Sequence, residues 1–450
     1  MNKTEEALIA KYDKPVPRYT SYPTVLDWHT DGFHKECYID KLKLSFDLNK
    51  SEGISLYIHL PYCESLCTYC GCNTHISVNH QVEYPYIQAL LKEWEMYVST
   101  FGERPKLKEI HLGGGTPTFF SAENLKFLIE SIKNTVELMP GYEFSFEGHP
   151  NNTTYEHLKV LREVGFSRVS FGIQDFDLKV QKAINRLQSF DQVAEVTKWS
   201  RILGYESINF DLIYGLPFQT EETILDTMEK VGHLKPDRIA FYSYAHVPWK
   251  RPGQRAYSET DLPSPSSKRK LNILGQALLR KQGYLPIGMD HFALPNDSLV
   301  EAFKEGRLNR NFMGYTTSNS QLLIGIGASS ISDVGLAYGQ NAKSVKGYLA
   351  QLEKGALPIV KGHIMSKEDR RIKAKLLKVA CEQRISAEDA LNLYANDRDR
   401  LNELILDGLL EKTAEGFLVT TSGAQFLRNI CSLFDPNFGK QNKRSFSQAV

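Results

Sequence analysis

Cys63, Cys67 and Cys70 stand in a C-x3-C-x2-C spacing within YIHLPYCESLCTYCGC. Three thiolates can bind three irons of a 4Fe-4S cluster and leave the fourth iron open to a substrate or cofactor. Spacing alone leaves two other readings open. The same thiols could enclose a zinc ion with Cys72 or His75, or they could be buried and metal-free. Zinc ligands usually come as two separated C-x2-C or H-x3-H pairs, which favours the cluster. Downstream, Gly113-Gly114-Gly115-Thr116-Pro117 would let the backbone approach a ligand and expose N–H and C=O groups to a zwitterionic amino-acid moiety; the plain alternative is a tight turn. Glu147 in FSFEGHP could accept ribose hydroxyls, as acidic residues at strand ends do. Gln174 in GIQDF, Arg186 in NRLQ and Asp211 in NFDLIYG would add an amide, a cation and a second carboxylate, although a residue of this kind by itself is more often a surface or capping residue.

Such a set needs a scaffold that gathers distant residues. Six short apolar runs supply candidate strands: 54–60, 109–112, 143–147, 168–172, 208–215 and 238–245. Between them lie stretches such as YPYIQALLKEWEMYVSTF and SAENLKFLIESIKNTVEL, with apolar residues three and four apart and Ser121 placed as a helix N-cap. Repeated strand–helix units imply a parallel sheet, and ligands of such sheets gather at the C-terminal strand ends, where the unusual residues fall. Six units are too few for the usual closed eight-stranded barrel, which leaves an open partial barrel or a doubly wound sheet. Residues 248–267, rich in Pro and Ser, read as a long connection, followed by the helical run KRKLNILGQALLRKQG. From about 367 the chain is helix-rich, and LLEKTAEGFLVTTSG suggests a small winged-helix-like module.

The bulk properties narrow the function class. With 54 basic and 53 acidic residues in 450, the net charge of +1 gives little support to nucleic-acid or anionic-membrane binding. No apolar run approaches membrane-spanning length and no signal segment is evident, so a cytoplasmic protein is expected. Four of the seven cysteines fall in residues 63–72, which favours metal binding over disulfides. Cys37, Cys381 and Cys431 read as ordinary buried thiols.

The cysteine spacing at the end of a first strand, with Tyr69 before the last cysteine and GGGTP one unit later, resembles the radical S-adenosylmethionine (SAM) superfamily. PVPRYTSYPT, HLGGGTPTF, GIQDF, NFDLIYGLP, DLPSPSSK, GMDHFA, RNFMGYTT and RNICSLFD extend the likeness over residues 12–436 to the family of oxygen-independent coproporphyrinogen III oxidases. The resemblance implies a partial (β/α)6 radical-SAM-type barrel (51–365, with its extension), an N-terminal substrate-side extension (1–50) and a small helical, winged-helix-like C-terminal domain (366–450). It implies one 4Fe-4S cluster on Cys63, Cys67 and Cys70 and two SAM molecules. Tyr57, Gly114, Glu147 and Ile331 would contact the first; Tyr69, Gly115, Thr116, Gln174, Arg186, Asp211 and Ala245 would contact the second. The implied reaction converts the ring A and B propionates of coproporphyrinogen III to vinyl groups. A low-potential donor such as flavodoxin or ferredoxin is implied, and a monomer is expected. Two positions depart from the family pattern: Glu147-Gly148-His149-Pro150 stands where Glu-Val-Asp-Pro is expected, and Met313 where Gln is expected.

A substrate with four carboxylates calls for cations. Arg18, Lys14 and Arg310 are candidates for pairing with it, Arg offering a bidentate fork, against the reading of each as a solvated charge. His59, on the first strand, and Asp290-His291 could donate or accept near the substrate, or be ordinary structural residues. Cys72 reads as a neighbour of the cluster rather than a ligand. The rival functions are a heme-binding chaperone, an anaerobic heme-opening methyltransferase and a zinc-stabilised DNA-binding regulator. PVPRYTSYPT and Cys72 weigh against the first, GMDHFA and the YPT block against the second.

Overall fold

The structure is a computed structural model that describes residues 3–28 and 33–439. It divides into two compact units: Met1–Asp27 with Pro265–Asn319 and Ser366–Val450, and Trp28–Ser264 with Ser320–Met365. The expected boundary at 365/366 coincides with one of theirs, but the cut at 50 does not: the chain enters the second unit at Trp28 and returns to the first over Pro265–Asn319.

The second unit carries the parallel sheet. Its strands β1 (Ile54–Leu60), β2 (Lys106–Gly114), β3 (Glu137–Gly148), β4 (Phe166–Gln174), β5 (Ser207–Tyr214) and β6 (Arg238–Ser243) pair in chain order, every neighbour parallel. All six strands expected from the sequence are present, three of them, β2, β3 and β4, longer than their apolar cores. Beyond β1 the sheet continues through β7 (Leu323–Ile326), β8 (Ile331–Asp333), β9 (Ala337–Asn341) and β10 (Ile359–Ile364), the first parallel to β1 and the rest antiparallel. Sequence reading left this stretch unassigned, since runs of three to six residues carry too little periodicity to separate strand from loop.

A helix follows each of β1 to β5, and β4 is followed by a further short one, Leu178–Ala183. In α1 (Glu83–Phe101), Tyr86, Ile87, Leu90, Trp94 and Tyr97 recur at helical spacing and are almost fully buried. Each such side chain contributes roughly 1.5–3 kcal/mol by leaving water. Gly102, at φ 73°, ends α1 in the left-handed conformation that glycine adopts without a Cβ clash. Before α2 (Ala122–Lys133), Ser121 is the expected cap, its side chain accepting the Asn124 N–H at 3.3 Å. The series continues with α3 (Tyr155–Glu163), α4 (Phe190–Ile202) and α5 (Glu221–Leu234). Along β3, β4 and β5, Phe144, Phe146, Val169, Phe171, Phe210 and Leu212 are buried, while alternate positions are less so and hold Ser145, Glu147, Ser170, Gly172, Asn209 and Asp211. The period of two thus gives each strand one apolar face and one face of polar or small residues. Parallel register sets His111 opposite Ser145, Glu147 opposite Ser170 and Gly172 opposite Asp211.

The first unit has its own core, in which Val16, Tyr19, Ile287, Leu299, Leu376 and Ile430 take part. The run KRKLNILGQALLRKQG lies in a helix, Pro265–Lys281, and the connection before it contains short turns at Pro252–Ala256 and Glu259–Asp261. The C-terminal stretch reads helix Lys367–Glu382, strand Arg384–Ser386, helices Ala387–Leu391 and Ala395–Leu406, and strands Leu410–Thr413 and Gly416–Val419, the three strands forming one antiparallel sheet. Cys381 and Cys431 are buried as expected, but Cys37 is exposed: on helix Lys35–Asn49 it is the next residue, Tyr38, that turns inward. Among the described residues no helix is long and apolar enough to cross a membrane.

Candidate active site

At the C-terminal ends of β1 to β5 lies a cavity of about 400 Å³, all of its lining drawn from the second unit. Cys63, Cys67, Cys70 and Cys72 line it together with Gly114, Gly115, Thr116, Glu147, Gln174, Arg186 and Asp211. Residues separated by up to some 150 positions in sequence thus share one wall, because each follows or ends a parallel strand.

The cysteine loop leaves β1 through Tyr62. Cys63 Sγ lies 3.3 Å from the Thr116 hydroxyl, Cys67 Sγ accepts from Arg186 Nη1 at 3.6 Å, and Cys70 Sγ accepts the Cys72 N–H at 3.4 Å. Burial pushes the Cys63 thiol up to about 11. Hydrogen bonding from Cys72, together with the charges of Arg251 and Arg186, brings Cys70 down to about 6. Cations beside the thiols favour the thiolate form that iron requires. Among the described residues these thiols do not form a closed three-ligand group. The donor set nevertheless fits an iron–sulfur cluster: three sulfurs on one wall of a cavity that also offers a guanidinium and carboxylates. His75 packs edge-on to Tyr62 and does not line the cavity, so it does not complete a zinc site with them. The 248–256 segment braces the loop from outside: Arg251 donates to the carbonyls of Gly71 and Cys72, and Gln254 to that of Tyr69 at 3.2 Å.

The glycines after β2 have a packing reason. A Cβ on Gly114 (φ 119°) would lie 2.7 Å from the His59 ring, and one on Gly115 would lie 2.6 Å from the Pro61 carbonyl. The expectation that this turn exposes its N–H groups is corrected here. Gly114 N–H donates to Glu147 Oε2 at 3.1 Å, Gly115 N–H to Leu60 O at 2.8 Å and Thr116 N–H to Tyr62 O at 2.9 Å. The turn therefore locks β2 onto β1 and Glu147 rather than presenting a nest of free donors.

Glu147 is half-buried. Burial raises its carboxyl, but the His111 ring (3.5 Å) and the Gly114 N–H outweigh that and hold it below the usual range. Asp211 behaves oppositely: burial and the charge of Glu147 push it up to about 6, against hydrogen bonds from Asn209 (2.9 Å) and Ser170 (3.2 Å). Arg186 Nη2 donates to Gly172 O at 2.6 Å, while its Nε is buried without a partner. Gln174 holds a left-handed φ of 67°, a conformation costing a non-glycine residue about 1 kcal/mol or more. On either side of it, buried Asp175 accepts Gln219 Nε2 and the Asp177 N–H, each at 2.6 Å, and Gln188 Nε2 donates to Ile173 O.

Other expected contacts lie apart from the lining. Tyr57 is buried, its hydroxyl 3.0 Å from His59 Nδ1 and its ring stacked on His111. His59 spends its other nitrogen on Asn73 O at 2.9 Å, so its ring is committed within the protein. Ala245 and Ile331 do not line the cavity; the Ala245 carbonyl accepts Gln254 Nε2, and Ile331 pairs with Gln340 in the sheet. Arg18, Lys14 and Arg310 belong to the first unit. There Arg18 pairs with Asp290 at 3.0 Å, Lys14 is exposed, and buried Arg310 donates through Nη1 to the carbonyls of Arg18 and Tyr19. Cavity residues that the sequence reading passed over include Ser170, Gly172, His149 and Asn151. For Ser170 and Gly172 the period-two alternation along β4 was the available signal.

Residues 57–231 match the radical SAM superfamily. Oxygen-independent coproporphyrinogen III oxidase of Pseudomonas aeruginosa is 37% identical over 98% of this chain and 98% of its own length. That of Escherichia coli strain K12 is 36% identical over 99% and 98%. The chain belongs to this family. The solved structure of coproporphyrinogen III oxidase from Escherichia coli, described as a radical SAM enzyme, superposes with a TM-score of 0.88 at 33% identity, covering 96% of this chain and 99% of that one. Family membership therefore extends over both units and supports the partial-barrel fold that the resemblance implied, where the strands alone left a doubly wound sheet open.

Proposed function

We propose that this protein carries out the anaerobic oxidative decarboxylation of the ring A and B propionates of coproporphyrinogen III to vinyl groups, giving protoporphyrinogen IX. The observation that carries the reading is full-length similarity to curated oxidases combined with one cavity that joins the three thiols to Glu147, Arg186, Gln174 and Asp211. Each propionate loses one hydrogen atom, carbon dioxide and one electron. Cys63, Cys67 and Cys70 would hold a 4Fe-4S cluster, which when bound would supply the electron that cleaves SAM to methionine and the 5'-deoxyadenosyl radical able to take that hydrogen.

The protein's own groups bind and orient. Arg186 stabilises the Cys67 thiolate from 3.6 Å. Glu147, kept ionised by His111 and Gly114, accepts hydroxyl donors of a nucleoside, and Asp211 and Gln174 supply a second set of acceptors and an amide. Two such sets in one cavity suit two SAM molecules. Electrons come from a low-potential protein donor of the flavodoxin or ferredoxin type.

Anaerobic incubation with coproporphyrinogen III, SAM and a low-potential reductant tests the proposal. Release of two carbon dioxide molecules per protoporphyrinogen IX is expected. SAM cleavage without decarboxylation would assign the radical chemistry to another substrate, and zinc without iron after reconstitution would end the radical reading.

A further inference from the structure

Residues 149–152 form a turn on one side of the cavity, and several bonds fix it. The His149 carbonyl accepts from the Asn152 N–H, the Thr153 N–H and the Thr153 hydroxyl, each at 2.9 Å. Asn151 Nδ2 donates to Leu187 O at 2.7 Å, tying this turn to the one that carries Arg186. The ring of His149 is fixed as well, its Nδ1 accepting the Asn151 N–H at 3.1 Å. An amide N–H can only donate, so Nδ1 is unprotonated and a neutral ring carries its proton on Nε2. Burial, and then the charge of Arg186, push the imidazole down to about 2, which keeps it neutral. Nε2 has no hydrogen-bond partner among the described residues, although the ring lines the same cavity as Arg186. Arg186 Nε is likewise a buried donor without a partner. Two residues that each keep an unspent donor, one neutral and one cationic, therefore line one cavity.

We propose that His149 is a ligand-contacting residue whose Nε2–H donates to the carboxylate of the SAM molecule that Arg186 faces. This rests on the two-cofactor reading of the cavity. A carboxylate has two oxygens and can take the guanidinium on one and the imidazole N–H on the other. A second cation in place of the imidazole would be repelled by Arg186; a neutral donor adds a directed bond without that cost.

Equilibrium dialysis of SAM against the anaerobically reconstituted full chain tests the contact. Wild type is expected to bind two equivalents. His149→Leu should weaken one of them about ten-fold or more, as loss of a hydrogen bond to a charged group does, and leave the other and the iron content unchanged. His149→Gln, whose amide can accept the Asn151 N–H and donate onward, should stay near wild type. If the leucine variant does not take up iron, His149→Asn, polar but too short to reach the ligand, should show the same selective loss. Wild-type affinity for both equivalents in a folded variant that lacks the donor overturns the proposal. If wild type binds one equivalent, the two-cofactor reading fails separately: weakening of that one molecule by His149→Leu keeps the contact, and unchanged affinity removes it.

Discussion

The rim of the parallel sheet and the arginines of the first unit carry residues of similar chemical promise but place them differently. At the rim, Arg186 gives one nitrogen to the Gly172 carbonyl and another to a thiol, and still has a buried donor over, while Glu147 keeps a carboxylate open to the cavity. In the first unit, Arg18 is paired with Asp290, and Arg310 is buried with its Nη1 shared between two backbone carbonyls. Residue type nominated both sets. What separates them is placement: Arg310, like Arg186, keeps a buried Nε without a partner, but it belongs to the first unit and does not line the cavity that holds the thiols.

The sharpest break between the regions comes from Cys70→Ala. Iron content and charge-transfer absorption should fall to background, with activity abolished, while thermal unfolding of the metal-free chain moves little. Next in size, Arg310→Met should destabilise the protein by about 2–4 kcal/mol, because it leaves two buried carbonyls without their donor. Denaturant titration measures this, and a variant of unchanged stability with lost substrate binding would move Arg310 to the ligand-binding side. Glu147→Gln should weaken SAM binding by about ten-fold or more through loss of a charge-assisted acceptor. Calorimetric titration of the reconstituted protein reads it directly, and unchanged affinity would mean that His111 and Gly114 are its only business. Arg18→Ala should cost no more than about 1 kcal/mol, since its side chain is 33% exposed and such ion pairs are weak. A large rise in KM for the porphyrinogen would instead show that Arg18 leaves Asp290 for the substrate, and the contrast would narrow. The smallest effect is expected for Cys72→Ser, which keeps the backbone N–H to Cys70 and should retain iron.

The sequence made the rim legible because its chemistry follows the strand period. Cysteines, glycines and carboxylates fall at the ends of apolar runs, and a parallel sheet brings strand ends together whatever the details of the helices. The six strands and the Ser121 cap were readable for the same local reason. Pairing was not readable. That the Gly114 and Gly115 N–H groups are spent on Glu147 and Leu60, or that buried Asp175 accepts from Gln219, depends on contacts between distant residues that no spacing reveals. Short strands such as Ile331–Asp333 were lost for want of length, and His149 registered only as a departure from the expected motif.

The first unit is assembled from three separate stretches, and its core mixes Val16 and Tyr19 with Ile287, Leu299, Ile372 and Leu376. For the gene this has a plain meaning. A premature stop near codon 366 would not release a trimmed enzyme with an intact catalytic half; it would strip the apolar partners from two earlier parts of the chain and leave them open to aggregation. Late nonsense alleles should therefore behave genetically as nulls, whereas changes confined to the last few residues need not.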